Sequence, residues 1–478
     1  MDGIGYGLSE SDDVIGGGIA GGIDDDQRLT LEDLCTANGF ALATALLDKP
    51  CGGDFDTGGR SAGTIMVAGT TIGTLVGGSS TIGTAELAFT CGLSAWWFTL
   101  GASIGALLLA LPYCHPLRAT RAETLQEIIG MEYGDGARVA SSVLASLGIA
   151  LNIVAQMLSA NALLGAIFGL DGRLCAVIAV VVMGCYIMFG GVRGSGILGL
   201  IKLVLLYGAV LVGGFAALRL AGGLGGLTAA LPHEQYFDLL SRGAGKDLGA
   251  GASVALGVVS TQTYMQSIRV ARNDRTARRG TLLSAALIPP IGLLCIFVGD
   301  YMRVAFPEMD ASQALPRFLV AQTPPVLCGV FLAALLIAIV GTGSGMAMGF
   351  GKILTHDIYA RYIRPQANSR EQLCATRVII FVSLVVSGWV AAGGLGSTIL
   401  TWGFLSMGLR AVVLLLPVST ALFLPGRMQS GFAIASSAVG LAVMLAARLI
   451  DLPCDSLFAG LAASAAVIAV GLLRGKKA

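Results

Sequence analysis

Four small polar residues, Gly77-Gly78-Ser79-Ser80, lie in the middle of an apolar stretch (62–90) that is long enough to cross a bilayer. In hydrocarbon, irregular backbone is tolerated only where it is buried in protein or lines a cavity. The sequence therefore predicts a broken membrane helix whose freed backbone groups, with Ser79 and Ser80, face a site for a solute and a coupling ion. The alternative is that the glycines only allow close helix packing.

Lys202 is a charged residue inside a second apolar stretch, 195–220. A buried lysine in a membrane helix is costly unless it is paired or changes its protonation, so its default interpretation is functional. Because Arg193 is close in sequence, a second interpretation has Lys202 snorkelling to the cytoplasmic interface.

Glu86 and Arg410 are also predicted at membrane depth. One interpretation is that the two side chains neutralise each other across the bundle. The other is that Arg410 is a bidentate partner for a substrate carboxylate, which favours an organic acid or an amino acid over a sugar.

The composition excludes a soluble globular protein. Of 478 residues, 55% are hydrophobic and only 12% are charged, and the mean hydropathy is +0.80, which indicates a polytopic membrane protein. The net charge of +1 gives no general attraction to nucleic acid. No catalytic set or metal-ligand spacing converges, since His115, His233 and His356 all fall in or near loops. We therefore expect no enzyme activity and no cofactor.

Apolar stretches of sufficient length predict about twelve transmembrane helices. They are residues 62–90, 94–113, 138–168, 172–190, 195–220, 248–266, 278–301, 326–352, 374–393, 397–423, 429–448 and 456–473. We divide the chain into a polar, acidic N-terminal segment (1–60), a ten-helix core (61–424), and two C-terminal helices with a short basic tail (425–478). This organisation predicts one all-α integral membrane domain.

Arginine and lysine are concentrated in the loops that follow the even-numbered spans. The positive-inside rule therefore predicts that both termini are cytoplasmic. We expect a multi-pass protein of the plasma membrane. We expect the lipid bilayer to surround the protein, and the sequence leaves its oligomeric state open.

Four segments together carry a resemblance to a known family. They are Asp54-Phe-Asp-Thr-Gly-Gly-Arg60, Gly92-Leu-Ser-Ala-Trp-Trp97, Thr124-Leu-Gln-Glu127, and the run from Leu332 to Thr342 that leads to Asp357-Ile-Tyr359. Each resembles a segment of the sodium:solute symporters, the carriers of sugars, proline and pantothenate, and the match runs over about residues 54 to 425. The resemblance implies a core of two inverted five-helix repeats in which helices 1 and 6 are broken. It also implies one more helix before the broken one, which this sequence does not supply.

The resemblance further implies a sodium site made of carbonyl groups from the broken helix and hydroxyls from the eighth span. Carried over to this chain, the carbonyl groups are those of Gly73, Val76 and Ala338, and the hydroxyl pair falls on Gly341 and Thr342. Gly341 lacks the hydroxyl, and Ser344 is the expected substitute. The fifth span lacks the carboxylate that the family often has near the ion path, and Lys202 appears one turn further along. Lys202 is therefore the alternative coupling group.

Substrate contacts are expected around the two breaks. The predicted contacts are Ser79, Ser80, Gln262, Tyr264, Glu86 and Arg410, and Gln156, Asn161 and Thr261 are further candidates.

The sequence thus predicts a secondary active transporter that imports a small polar solute by alternating access, coupled to Na⁺. The first alternative is a proton-coupled or sodium-independent carrier of the same fold, in which Lys202 replaces sodium. Two alternatives come from other functional classes. A channel is disfavoured because the sequence shows no repeated pore loop. A transporter-like sensor is disfavoured because no output domain is expected after the last span.

Overall fold

The computed structural model describes residues 62–120, 122, 124–190, 195–393, 398–450 and 454–475. The described chain is helical, apart from turns and one isolated backbone bridge between Ala62 and Ala271. The N-terminal segment (1–60) and its motif at Asp54–Arg60 lie outside these residues. The domain boundaries stay a prediction.

Nineteen α-helices follow one another along the described chain. They are α1 (Thr64–Leu75), α2 (Thr84–Cys91), α3 (Trp97–Leu108), α4 (Cys114–Ala119), α5 (Leu125–Tyr133), α6 (Asp135–Phe168), α7 (Gly172–Gly190), α8 (Ser195–Leu220), α9 (Gly223–Ala230), α10 (His233–Tyr236), α11 (Ala244–Val259), α12 (Gln262–Arg269), α13 (Asp274–Ala305), α14 (Ala314–Gln322), α15 (Pro325–Leu354), α16 (Ser369–Ala392), α17 (Ile399–Phe423), α18 (Ser430–Leu449) and α19 (Ser456–Arg474). Three π-helical turns and two 3₁₀ turns join some of them: Ser79–Gly83, Leu109–Tyr113 and Thr355–Ile363, and Gly92–Trp96 and Ala311–Gln313.

Every apolar stretch that the sequence predicted as a span is helical over most of its length. Within the described residues, nine helical segments are long and apolar enough to cross a membrane as continuous elements. The all-α membrane fold is therefore confirmed, whereas the count of about twelve spans stays a prediction.

The first predicted span is broken where the glycines lie. Helix α1 ends at Leu75, Val76 is extended (φ −85°, ψ 97°), and a π-helical turn from Ser79 leads into α2. Gly78 is needed because a Cβ there would lie 2.2 Å from the Cβ of Ser159. The glycines thus allow the unwound backbone to approach α6 directly.

A second break interrupts the sixth predicted span. Helix α11 ends at Val259, Thr261 is extended (φ −112°, ψ 123°), and α12 begins at Gln262. The chain before α1 and the chain after α12 are joined, because the Ala62 N–H donates to the Val270 carbonyl over 3.0 Å. The two broken helices are therefore tied together at one end.

Three long helices surround the first break. Helix α8 packs against both α1 and α15, and α6 packs against the π-helical turn, α15 and α17. The short helix α14 also packs against the π-helical turn Ser79–Gly83 and against α6. This arrangement places residues from α1, α6, α8 and α15 around the unwound backbone.

Candidate functional site

The ammonium group of Lys202 lies between the first break and helix α15. Its Nζ donates to the carbonyl oxygen of Gly73 over 2.8 Å, to the carbonyl oxygen of Ala338 over 3.2 Å, and to the hydroxyl of Thr342 over 3.2 Å. The side chain is 8% exposed. An ammonium has three N–H donors, so these three acceptors use all of them.

The position of Gly73 explains why its carbonyl is available. The last turn of a helix has carbonyl groups without a partner in the helix, and α1 ends two residues later. Of these carbonyl groups, that of Ile72 accepts from Val76 N–H over 2.7 Å. The break thus provides an acceptor for Lys202 that a continuous helix would have used internally.

The structure brings together four of the six residues predicted to bind sodium. Gly73, Ala338 and Thr342 bind Lys202, and a Cβ added to Gly341 would lie 3.9 Å from Nζ. Val76 and Ser344, both described, make no hydrogen bond to the ammonium, and the buried hydroxyl of Ser344 has no partner. Because Nζ takes the centre of this set and one hydroxyl is missing, the residues fit a tethered ammonium better than a sodium ion.

No carboxylate among the described residues forms an ion pair with Lys202. Its positive charge is met by carbonyl and hydroxyl dipoles alone. Lys202 also does not snorkel to the interface, because Nζ points to the break. The hypothesis that Lys202 takes the place of sodium thus has a geometric basis, and its role in coupling stays a proposal.

Gln156 holds the unwound backbone in place. Its Oε1 accepts from Gly78 N–H over 3.0 Å, and its Nε2 donates to the hydroxyl of Ser79 over 3.3 Å. Ser80 turns back to the break, where its Oγ lies 3.0 Å from both the N and the O of Gly77. The Ser79 hydroxyl therefore contacts a side chain of α6, whereas the Ser80 hydroxyl bonds the backbone of the break.

A small cavity lies beside the break, with a volume of about 10 Å³. That is roughly the space of one water molecule, so in this conformation the cavity is too small for a solute. Among the described residues, two buried polar atoms at the cavity find no partner: the hydroxyl of Tyr264 and the Oδ1 of Asn152. The remaining lining residues are Thr74, Leu75, Ser79, Phe98, Gln156, Thr342, Met346 and Met407.

Of the residues predicted to contact substrate, Tyr264 and Ser79 line this cavity and Gln262 does not. Asn152 was missed by the sequence analysis. The spacing of Asn152 could have identified it, because it lies four residues before Gln156 and so shares a face of α6 with that residue. Gln262 keeps a buried Oε1 without a partner in the described structure.

Glu86 and Arg410 are not an ion pair. The Oε2 of Glu86 accepts from the Ile399 N–H over 2.8 Å, at the N-terminus of α17, where a negative charge is favoured. Arg410 donates to the hydroxyl of Thr261 over 2.9 Å and to the hydroxyl of Ser406 over 2.9 Å. The hypothesis of mutual neutralisation is therefore wrong for this conformation.

Arg410 is a buried cation attached to the second break. It is 1% exposed and forms no ion pair with a described carboxylate. Thr261, its partner, is the extended residue between α11 and α12, three positions before Tyr264. Lys202 and Arg410 thus place two buried positive charges at the two breaks.

Comparison with known proteins identifies the family. A model of the sodium:solute symporter family matches residues 55–440. The chain belongs to this family. This sodium:solute symporter family protein is therefore a multi-pass membrane protein and a secondary active transporter, and it is not an enzyme. The family implies Na⁺ as the coupling ion, which makes the position of Lys202 in this member a departure.

Solved structures share the fold of this family member. A Na⁺-coupled sialic acid symporter in a substrate-bound, outward-open state is similar with a TM-score of 0.74 and 17% identity, over 94% of this chain and 98% of that one. Mhp1, a nucleobase-cation-symport-1 family transporter, is similar in its inward-facing conformation with a TM-score of 0.55 and 13% identity, over 90% of this chain and 94% of that one. At these identities the likeness establishes the fold alone.

Proposed function

We propose that this transporter is a sodium-independent carrier in which the Lys202 ammonium takes the position of the sodium ion, and in which proton binding to Lys202 drives the import of a small organic anion. The observation that carries the proposal is the contact of Nζ with Gly73, Ala338 and Thr342. These are three of the groups that the family resemblance assigns to sodium.

An ammonium group carries the same charge as a sodium ion, but it needs fewer oxygen partners. Sodium is expected to need five or six oxygens, and three hydrogen bonds suffice for an ammonium. A lysine in this position is covalently tethered and cannot leave with the solute. Transport by such a protein is then independent of a sodium gradient.

The same contacts can hold Lys202 in both protonation states. In the charged state, three N–H groups donate to three oxygens. In the neutral state, two N–H groups remain for the carbonyl groups of Gly73 and Ala338, and the nitrogen lone pair can accept from the hydroxyl of Thr342, because a hydroxyl both donates and accepts. We infer that Thr342 lets Lys202 release and regain a proton without leaving a buried polar atom unpaired.

Proton exchange at Lys202 would act on the relative position of two helices. The ammonium group joins the end of α1 to the middle of α15. Lys202 itself belongs to α8, which packs against both helices. Loss of the charge weakens both hydrogen bonds to carbonyl groups, since charged donors bind roughly twice as strongly as neutral ones. We propose that this weakening lets the broken helix move from α15 during alternating access.

The charge at the two breaks supports an anionic solute. Lys202 and Arg410 are buried without a described carboxylate partner, so a bound carboxylate would compensate positive charge. The unpartnered Tyr264 hydroxyl and Asn152 Oδ1 add one donor and one further acceptor at the cavity. We therefore propose a small carboxylate, such as a simple organic acid or amino acid, that binds against Ser79 and Tyr264.

We propose that the protein lies in the plasma membrane and moves its solute inward. The arginines that follow the even-numbered spans support a cytoplasmic position for both termini.

The test is thermal unfolding of the purified protein in detergent, titrated with sodium against potassium at constant ionic strength and repeated across pH. A ligand that binds only the folded state stabilises it by about 2.7 kcal/mol at a hundredfold excess over Kd. We expect no sodium-specific stabilisation, together with a pH dependence that is lost in Lys202→Met. A saturable, sodium-specific rise in Tm would instead favour ordinary sodium symport, with Thr342 and the unpartnered Ser344 hydroxyl as ligands.

A further inference from the structure

A second and larger pocket lies at the end of the bundle that carries the basic loops. Its volume is about 530 Å³, and it lies between the segment Ala110–His115 and the first turns of α13. It is separate from the transport site, since it shares no lining residue with the cavity at the break. A ligand in this pocket is therefore independent of the coupling mechanism proposed for Lys202, and it shares with the proposed function only the cytoplasmic placement of the basic loops.

Three arginines make this pocket basic. Arg275, Arg278 and Arg279 line it from α13, and all three are exposed. Within the described residues, their side chains enter no hydrogen bond or ion pair. They are therefore available to a ligand, and a guanidinium matches the geometry of a phosphate group because it donates two parallel hydrogen bonds.

The acidic residue of the pocket, Asp274, is already paired. One carboxylate oxygen accepts from Arg118 Nε over 2.6 Å, and the other lies 2.7 Å from His115 Nδ1. Asp274 therefore offers little repulsion to an anion, and the three free arginines determine the sign of the potential in the pocket.

The pocket continues into an apolar surface that faces outward. Leu111, which lines the pocket, is 51% exposed, and Leu107 and Ile104 on the same face of α3 and its extension are 39% and 44% exposed. On α13, Leu283 lies one turn after Arg279 and is 39% exposed. A membrane helix with such side chains on its surface is covered by acyl chains.

We propose that this pocket binds the phosphate headgroup of an anionic phospholipid, whose acyl chains lie along Leu111, Leu107 and Leu283. Basic pockets between transmembrane helices at the cytoplasmic surface are suited to such headgroups. Free phosphate would use only the arginines, whereas a lipid also covers the adjoining leucines. The occupant is therefore a lipid of the surrounding bilayer.

The experiment measures lipid binding to the full-length protein in detergent by native mass spectrometry and by thermal unfolding. The ligands are phosphatidylglycerol, phosphatidylcholine with the same acyl chains, and inorganic phosphate. The variant is Arg275→Gln/Arg278→Gln/Arg279→Gln. Its matched control is Arg370→Gln/Arg377→Gln/Arg427→Gln, which removes three exposed arginines from the first turns of α16 and from the loop between α17 and α18, all predicted on the same side.

We expect phosphatidylglycerol to bind the wild type and the control variant equally, because the control arginines do not line the pocket. It should bind the pocket variant about a hundredfold more weakly, since each of the three arginines at the headgroup contributes roughly a factor of five. Equal binding of phosphatidylcholine, equal loss in both triple variants, or stabilisation by inorganic phosphate as strong as that by phosphatidylglycerol would each overturn the proposal. The melting temperature of the lipid-free pocket variant shows separately whether it folds.

Discussion

Lys202 Nζ lies 2.8 Å from the carbonyl oxygen of Gly73, across 129 positions of sequence. This hydrogen bond joins helix α8 to the end of α1, where the helix break leaves the carbonyl free. In this chain a side chain therefore meets the unwound backbone at the place that the family resemblance assigns to a sodium ion.

Restoring the missing hydroxyl and removing the ammonium should recreate a sodium site. The double variant Lys202→Ala/Gly341→Ser has room for the serine, because the neighbour found within 4 Å of a Cβ at Gly341 is Nζ itself. We expect sodium, and not potassium, to raise the Tm of this variant by the equivalent of about 2.7 kcal/mol at a hundredfold excess over Kd. Lys202→Ala alone is the control. An equal response of both variants would show that Gly341 is not part of the ion position.

A permanent charge at position 202 should separate solute exchange from proton-driven uptake. Arginine is not deprotonated in proteins, so Lys202→Arg keeps a cation but cannot carry a proton. In proteoliposomes we expect this variant to exchange solute across the membrane and to lose accumulation driven by a pH gradient. Accumulation at the wild-type level would contradict the role of Lys202 in coupling.

The close approach of the break to α6 should be sensitive to one methyl group. In Gly78→Ala the new Cβ would lie 2.2 Å from the Cβ of Ser159, so we expect a loss of about 1–3 kcal/mol in the free energy of unfolding and a loss of transport. The second substitution Ser159→Gly removes the clash and should recover part of both. No recovery in the double variant would mean that Gly78 is required for its backbone conformation alone.

The amide of Gln156 should stabilise the unwound backbone. Gln156→Leu leaves the Gly78 N–H without its acceptor, and a buried unsatisfied donor costs about 1–3 kcal/mol. Asn161→Leu, on the same helix, is the matched control, because the Oδ1 of Asn161 has no partner in the described structure. The two variants are compared by thermal unfolding, and equal Tm values would remove Gln156 from this role.

Arg410 and Glu86 should differ in their effects on an anionic solute. Attraction between the Arg410 charge and a solute carboxylate contributes roughly 1–2 kcal/mol to the binding free energy. Arg410→Gln should therefore weaken binding of a carboxylate about tenfold and leave binding of the corresponding neutral amide unchanged. Glu86→Gln removes a charge from the N-terminus of α17 and should lower stability by about 1 kcal/mol without this selectivity. Competition assays with acid and amide pairs distinguish the two, and an equal loss for acid and amide in Arg410→Gln would refute an electrostatic contact.

Local sequence determined the class of fold and the place of the first break. Hydropathy over about twenty residues identifies a membrane helix wherever it lies, and four small polar residues in hydrocarbon need a buried or cavity-lining environment. Both properties depend on neighbours along the chain. For that reason the all-α membrane fold and the break at Gly77–Ser80 could be predicted without a structure.

Only the tertiary structure decided which partners the buried polar groups find. The sequence left Lys202 between a snorkelling and a coupling role, and it allowed Glu86 and Arg410 to pair. The fold instead brings Lys202 to Gly73 and Thr342, and it brings Glu86 to the backbone of Ile399, 313 positions away. Such contacts form because burial makes every unpaired polar group costly, and which partner lies within reach depends on how the helices pack. The sequence therefore identified the groups that need partners, and helix packing selected the partners.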